Sequence, residues 1–251
     1  MSGALVPESG YARVYQRWHE YEPSHITQQC AFFKRLLAGL LPENPESVIL
    51  DIGCGMGFTL MALSTMGYQN AEGIDRDRDL VAGCLSQGLQ VSHDADGLCF
   101  LRRHPGSFDA VLLLDLLEHI PPNAAMPFLS ALRTSLRPGG RVILTTPNAN
   151  ASVAWRWRHI CWTHETSFTE ISLSELLESG GFEAVKVRAH ELMNRPRWPL
   201  LIRPSVLRWG ILKGFRAFRR LELLAELGSS ARHLPLTPNL LATAFRPSEE
   251  R

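Results

Sequence analysis

The sequence predicts an α/β fold in which a parallel sheet is wound on both sides by helices. Three observations predict it. Short apolar runs recur along the chain and end in an acid, at Asp51, Asp75, Asp94 and Asp115. Helix-patterned stretches follow several of them, which is the alternation a doubly wound sheet requires. The first run passes directly into Gly53-Cys54-Gly55-Met56-Gly57, with glycine at every second position, so the backbone can turn sharply and come close to a ligand. A length of 251 residues suits one such domain with an appendage.

Composition narrows the class. The net charge of +1 gives no general signal for nucleic acid. Five cysteines (Cys30, Cys54, Cys84, Cys99, Cys161) form no C-x-x-C pair, and an odd, scattered set fits reduced cytosolic thiols. No basic stretch followed by an apolar one opens the sequence, so no signal peptide is expected. No apolar run reaches membrane-spanning length. A cytoplasmic protein is expected.

The elements follow in order. Residues 1–45 read as a helical cap: a short aromatic and basic helix over 11–20, a break at Pro23, and a helix over 25–41 capped by Ser24 and stopped by Pro42 and Pro45. Residues 46–192 read as the core. Residues 48–52 are a buried strand, and a helix over 59–65 points its N-terminus at whatever the glycines hold. The glycines do not suit a dinucleotide, because Phe58 stands where that fingerprint needs glycine, and no G-K-[ST] follows for a phosphate loop. Asp51 would repel a diphosphate. It suits a ligand with a cation and with hydroxyl or ammonium donors, and S-adenosylmethionine is one. Residues 71–75 form a second strand ending in Asp75, about two dozen residues after Asp51, the spacing of a carboxylate that takes ribose hydroxyls. Asp77 and Asp79 open a helix continuing over 80–87. A third strand over 88–95 ends in Asp94, with Asp96 as the alternative acid. Residues 107–115 are a central strand, apolar on both faces. A helix over 124–136, a turn at 137–140 and a fifth strand over 141–146 follow. Residues 148–167 form an insertion with Trp155, Trp157 and Trp162 among Arg156, Arg158, His159 and His164. A helix over 172–179, capped by Thr169 or Ser172, leads to a sixth strand over 183–188, and 240–245 supply a seventh.

The motifs carry a resemblance. Asp51-x-Gly53-x-Gly55-x-Gly57 resembles motif I of the class I S-adenosylmethionine-dependent methyltransferases. Asp115-Leu116-Leu117-Glu118-His119-Ile120-Pro121 resembles motif IV, in the Leu-Glu-His form of the ubiquinone-biosynthesis O-methyltransferases and their relatives. The run from Leu136 through Arg137-Pro138-Gly139-Gly140 to Asn148, the segment His164-Glu165-x-x-Phe168-Thr169 and the turn Gly180-Gly181-Phe182 are similar to the same group. The resemblance covers about residues 45–190. It implies a Rossmann-like, seven-stranded sheet and S-adenosylmethionine as cofactor. On this sequence the cofactor would lie against Asp51, Gly53, Cys54, Gly55 and Gly57. Asp75 and Arg76 would meet its ribose, Asp94 and Ala95 its adenine, and Asp115 and Leu116 would follow at motif IV. Asp115, Glu118 and His119 would face the methyl group or the acceptor. Tyr11, Tyr15, Trp18 and His25 would either line the site or simply pack on the domain.

The implied activity is methyl transfer, most readily to an oxygen of a small-molecule, glycan or lipid-linked acceptor. His119 and His164 are both candidate bases, since imidazole takes a proton near neutral pH. Motif IV lacks the [DNS]-P-P-[YFW] form of base N-methyltransferases, so no nucleic acid is expected. The competing reading is a non-catalytic S-adenosylmethionine-binding or partner-binding module. His159, Cys161, His164 and Glu165 offer metal-ligand types within one segment, and Asp115 and Glu118 could hold magnesium. No second cluster is evident in the sequence, so no metal is expected. Residues 193–251 read as a basic amphipathic helical appendage, with a disordered tail from Arg246. Residues 195–220 carry eight basic side chains and no acid. They are candidates for peripheral contact with an anionic membrane or a partner; the other reading is a helix packed on its own domain with a solvated basic face.

Overall fold

The structure, a computed structural model, describes residues 19–191 and 204–248. Most of the helix expected over 11–20, with Tyr11, Tyr15 and Trp18, lies outside them, as do Arg195, Arg197 and Arg203. His19 and Glu20 are not helical. The first described helix, α1 (Pro23–Leu37), begins at the proline expected to break the chain. Proline is suited to a first helical turn, where its missing N–H is not needed and its fixed φ is already helical.

The order then is β1 (Ile49–Ile52), α2 (Phe58–Thr65), β2 (Ala71–Asp75), α3 (Arg78–Ser86), β3 (Val91–His93), α4 (Gly97–Arg103) and β4 (Phe108–Leu114). After these come α5 (Pro122–Ser135), β5 (Leu136–Pro147), α6 (Ala154–Ile160), α7 (Glu170–Ser179), β6 (Glu183–His190), α8 (Pro204–Leu227) and β7 (Asn239–Phe245). Helix α4 was not expected from the sequence. Its signal is Asp96, whose side chain accepts from the backbone N–H of Leu98 and Cys99 and so caps it. The turn expected at 137–140 is absorbed into β5, as an irregularity between the Phe108–Leu136 and Ala110–Arg141 pairs.

One seven-stranded sheet results, ordered β3-β2-β1-β4-β5-β7-β6. All neighbours are parallel except β7, which runs antiparallel between β5 and β6. The central strands alternate between two apolar layers. Leu50, Ile52, Val111, Leu113, Val142 and Leu144 face α4, α5 and α7. Ile49, Ala110, Leu112, Ile143 and Leu241 face α1 and α2. Each fully buried leucine or isoleucine contributes roughly 1.5–3 kcal/mol, so these layers hold the sheet. The strand order reverses between β1 and β4. That reversal opens a crevice at their C-terminal ends, where Asp51 and Asp115 lie.

The tail corrects an expectation. Arg246 is not in a disordered stretch: its N–H donates to the Gly140 carbonyl at 2.8 Å and its guanidinium to the Thr134 and Leu136 carbonyls.

Helix α8 also differs from the self-packed reading. Its basic side is the one that docks. Arg220 donates to the carbonyls of Ala231, Arg232 and Leu234 at 2.7–2.8 Å, Arg216 pairs with Glu191, and Leu223 is buried. Leu207, Ile211, Phe215, Phe218 and Leu221 share the other side of the helix and are each 50–71 % exposed.

Gly73 on β2 admits the glycine turn. A Cβ there would lie 2.8 Å from Cys54 Sγ and 2.9 Å from Leu60 Cδ1. Gly73→Ala is expected to cost about 1–3 kcal/mol through overpacking and to lower the unfolding temperature by several degrees, measured by calorimetry. An unchanged transition would mean that the turn does not press on β2.

Candidate functional site

The site is built where three strands run out. Gly53, Gly55 and Gly57 all adopt left-handed φ, at 75°, 55° and 73°. A side chain is strained in each position. A Cβ at Gly53 would also meet Leu116 Cδ1 at 3.1 Å, and one at Gly57 would meet Leu89 Cδ1 at 2.3 Å. Cys54, between them, is buried against β2.

Beneath this turn Asp51 is 2 % exposed. The Thr59 hydroxyl supports its carboxyl, but Oδ2 is buried without a hydrogen-bond partner among the described residues. Desolvation first, and the neighbouring Asp75 second, push its pKa up to about 8. A buried carboxyl oxygen with nothing to accept from is costly unless a ligand supplies the donor. A cationic or donor-rich ligand fits; a phosphate does not.

Asp75 ends β2. Its two carboxyl oxygens accept from Gly55 N–H and Asp77 N–H, both at 2.9 Å, so it braces the glycine turn. Burial raises its pKa, opposed by those two backbone bonds. Arg76 is exposed beside it. Asp94 is engaged already: Asp96 N–H donates to it at 3.0 Å, and Arg103 forms an ion pair with its other oxygen. Ala95 is exposed next to it. Tyr21 and His25 lie over the turn from the N-terminal side. Tyr21 Oη donates to the Met56 carbonyl at 3.2 Å, and both rings pack on Phe58.

Asp115 follows β4 in the left-handed region, at φ 53°. Such a conformation costs a non-glycine residue of order 1 kcal/mol and persists where surroundings impose it. Here Thr145 Oγ1 and Asn239 Nδ2 both donate to Asp115 Oδ1 at 2.9 Å. Protein crowds the carboxyl and raises its pKa by desolvation, yet the residue keeps an accessible surface, as a group on the floor of a cleft does. Glu118 does not face the cleft. It is 1 % exposed, accepts from Thr146 Oγ1 at 3.0 Å, and burial raises its pKa well above the usual range. Its role is structural: it holds the turn after β4 against Thr146.

His119 and His164 are brought together, with ring centroids 4.7 Å apart and edge to face. Burial lowers the pKa of both, that of His119 to about 4. His119 Nδ1 lies 2.8 Å from Thr163 Oγ1, and Cys161 Sγ lies 3.0 Å from the same hydroxyl. His164 Nδ1 lies 2.8 Å from the Trp157 carbonyl. Sequence reasoning missed Thr145, Asn239 and Thr163. Asn239 reaches Asp115 across 124 positions, and no local pattern could mark it.

Known proteins resemble this chain in sequence and in fold. The methyltransferase domain family matches residues 15–187. A ubiquinone biosynthesis O-methyltransferase of Paraburkholderia xenovorans is 34 % identical over 109 residues, 41 % of this chain and 45 % of that protein. One from Burkholderia ambifaria is 34 % identical over 106 residues, 40 % and 44 % of the two chains. The chain thus spans less than half the length of these curated relatives. Among solved structures, a S-adenosylmethionine-dependent methyltransferase from Archaeoglobus fulgidus superposes with a TM-score of 0.66 at 18 % identity, covering 94 % of this chain and 100 % of that one. The phosphoethanolamine N-methyltransferase 2 of Haemonchus contortus, in complex with S-adenosyl-L-methionine, gives 0.61 at 19 % identity, over 98 % and 58 %. Likeness at these identities speaks for the fold.

The orphaned carboxyl has a measurable sign. Asp51 titrates near 3.8 when unfolded and near 8 when folded, so the ligand-free native state binds the proton more tightly. Its share of stability is present below about pH 4 and lost as pH rises through about 8. Asp51→Asn is expected to flatten the fall in unfolding temperature over that window while weakening cofactor binding. A pH profile identical to wild type would sink the assignment.

Proposed function

The chain belongs to the methyltransferase domain family of class I, S-adenosylmethionine-dependent enzymes, and on that premise we propose that it methylates an oxygen of a small-molecule, glycan or lipid-linked acceptor. The observation that carries the reading is the buried, unpartnered Asp51 oxygen under three left-handed glycines at the strand-order reversal. S-adenosylmethionine supplies a methyl group on a sulfonium, with an ammonium, a ribose and an adenine as handles.

Asp51 takes the cationic methionine end, and Gly53, Gly55 and Gly57 let the backbone close on it. Asp75 keeps acceptor capacity for a ribose hydroxyl while it braces Gly55. Arg76 and Ala95 border the cofactor, and Asp94 reaches the adenine only if it shares its carboxyl with Arg103. Asp115 and Leu116 close the crevice on the β4 side, Leu116 from directly above Gly53. Alignment of the acceptor oxygen is the protein's main contribution. As the oxygen–carbon bond forms and the carbon–sulfur bond breaks, the acceptor must lose its hydroxyl proton. His119 and His164 are the candidate groups to take or polarise that proton, and the burial that lowers the pKa of both makes polarising it the easier role. The oxygen preference follows the O-methyltransferase names of the curated relatives and the shared Leu-Glu-His segment.

A lipid-linked acceptor is favoured by the mounting of α8. Arg216 and Arg220 are spent on docking, while its outward stripe of Leu207, Ile211, Phe215, Phe218 and Leu221 is flanked by the exposed Arg208 and by Arg219, which pairs with Glu222. Such a face suits the interface of an anionic bilayer. No described helix is long and apolar enough to cross a membrane.

Calorimetric titration with S-adenosylmethionine and S-adenosylhomocysteine is expected to give one-to-one binding. Asp75→Ala should weaken it about tenfold or more, the loss of at least one hydrogen bond to a charged group. Unaltered affinity would remove the ribose role. In co-sedimentation, the protein should follow vesicles containing phosphatidylglycerol and not neutral ones. The double variant Phe215→Glu, Phe218→Glu should stay in solution. Equal partitioning of the variant would reject the bilayer contact.

A further inference from the structure

We propose that His119, Cys161 and His164 form a binding site for a thiophilic divalent cation, zinc in the first place. Three donor atoms, one from each residue, lie within 4.8 Å of one another. They come from two separate segments, a 3₁₀ turn after β4 (Leu117–His119) and the loop after α6. The sequence offered Cys161 and His164 together, but only the fold adds His119, the ligand source that the sequence lacked.

The two segments are tied to each other independently of any ligand. The Glu118 carbonyl accepts from the N–H of Glu165 at 2.7 Å and of Thr166 at 3.2 Å. Arg158 donates to the carbonyls of His164 and Glu165. His164 Nδ1 can only donate to the Trp157 carbonyl, which leaves Nε2 as the lone-pair nitrogen. A ring nitrogen tied to a carbonyl is the usual support of a metal-bound histidine, because it fixes tautomer and orientation.

One sulfur and two nitrogens select zinc or a similar borderline-soft ion over magnesium or calcium. Zinc bonds of about 2.0–2.3 Å require the donors to draw closer than they stand, to roughly 3.3–3.8 Å. The Thr163 hydroxyl now bridges His119 and Cys161. It must yield its place, a side-chain rotation on a loop. Binding converts the Cys161 thiol to a thiolate and releases its proton to solvent. A site charge of +1 results, on a loop that Arg158 also holds. Three protein ligands leave a fourth position open, for water or, on the methyltransferase reading, for the acceptor oxygen; with the cation bound, the two histidines ligate and do not take the acceptor proton, which passes to solvent.

The test is cobalt(II) titration of the full-length, reduced, metal-free protein, read by absorption. One equivalent should give intensified tetrahedral ligand-field bands and a thiolate charge-transfer band, and zinc should displace both. Cys161→Ser should lose the thiolate band, and His164→Asn should weaken binding, with folding of each variant checked by circular dichroism. Cys99→Ser, at an exposed thiol away from the cluster, should behave as wild type. Absence of one-equivalent binding, or a thiolate band that survives Cys161→Ser, overturns the site. S-adenosylhomocysteine binding measured on the same samples separates the two readings. Cobalt bound without cofactor would fail the methyltransferase reading alone, and cofactor bound without cobalt would fail this one alone.

Discussion

The constraint on which the structure depends is that β1, β4 and β5 are covered on both faces. Successive side chains of these strands alternate between two dry layers, so no polar group can be tolerated along their length without a partner. Polar residues on these strands are therefore partnered, as Asp109 is by Val48 N–H and Arg137 and as Arg141 is by the Leu40 carbonyl, or stand toward the points where the strands leave the sheet. Asp51, Asp75 and Asp115 stand at those exits. The reversal of winding between β1 and β4 then sends the following connections apart and leaves the exits facing a common crevice. Chemistry collects there because the core admits it nowhere else.

Crowding acids into such a crevice sets them against one another. Asp51, Asp75, Asp115 and Glu118 are all pushed toward their protonated forms by burial, and Asp51, Asp75 and Glu118 also by the charge of a neighbouring acid. The fold resolves this differently at each position. Asp75 is offset by backbone N–H groups, Asp115 by Thr145 and Asn239, and Glu118 by Thr146. Among the described residues, only Asp51 keeps a buried carboxyl oxygen with no donor. The ligand-free protein thus carries an electrostatic debt at one place, and a ligand bringing positive charge or donors relieves it.

Much of this was legible in the sequence because it is local. The glycine spacing, the acids ending apolar runs, Thr169 as the cap of α7 and the seventh strand all depend on neighbours a few residues away. Asp51, Gly53, Gly55, Gly57 and Asp75 accordingly come together as their spacing suggested. What could not be read is non-local. Asn239 on Asp115, His119 beside Cys161 and Arg103 on Asp94 are consequences of strand order and loop packing. Glu118 was misread for the same reason: its motif position pointed to the cleft, while the packing of its turn on Thr146 sends it inward. Helix α8 was legible as amphipathic, but amphipathicity does not state which face docks. Three carbonyls at residues 231, 232 and 234 hold Arg220 and Glu191 holds Arg216, which leaves the apolar face outside.

The antiparallel β7 has a consequence for how the molecule comes into being. Strand β6 pairs with β7 alone, and β7 also supplies Asn239 to Asp115. During synthesis, then, β1 to β5 can associate as they emerge, but β6 has no edge to join until some fifty further residues have been made. The acceptor side of the crevice stays unfinished over the same interval. A ribosome paused before Asn239 would hold a protein able to fold its cofactor half and unable to complete the other.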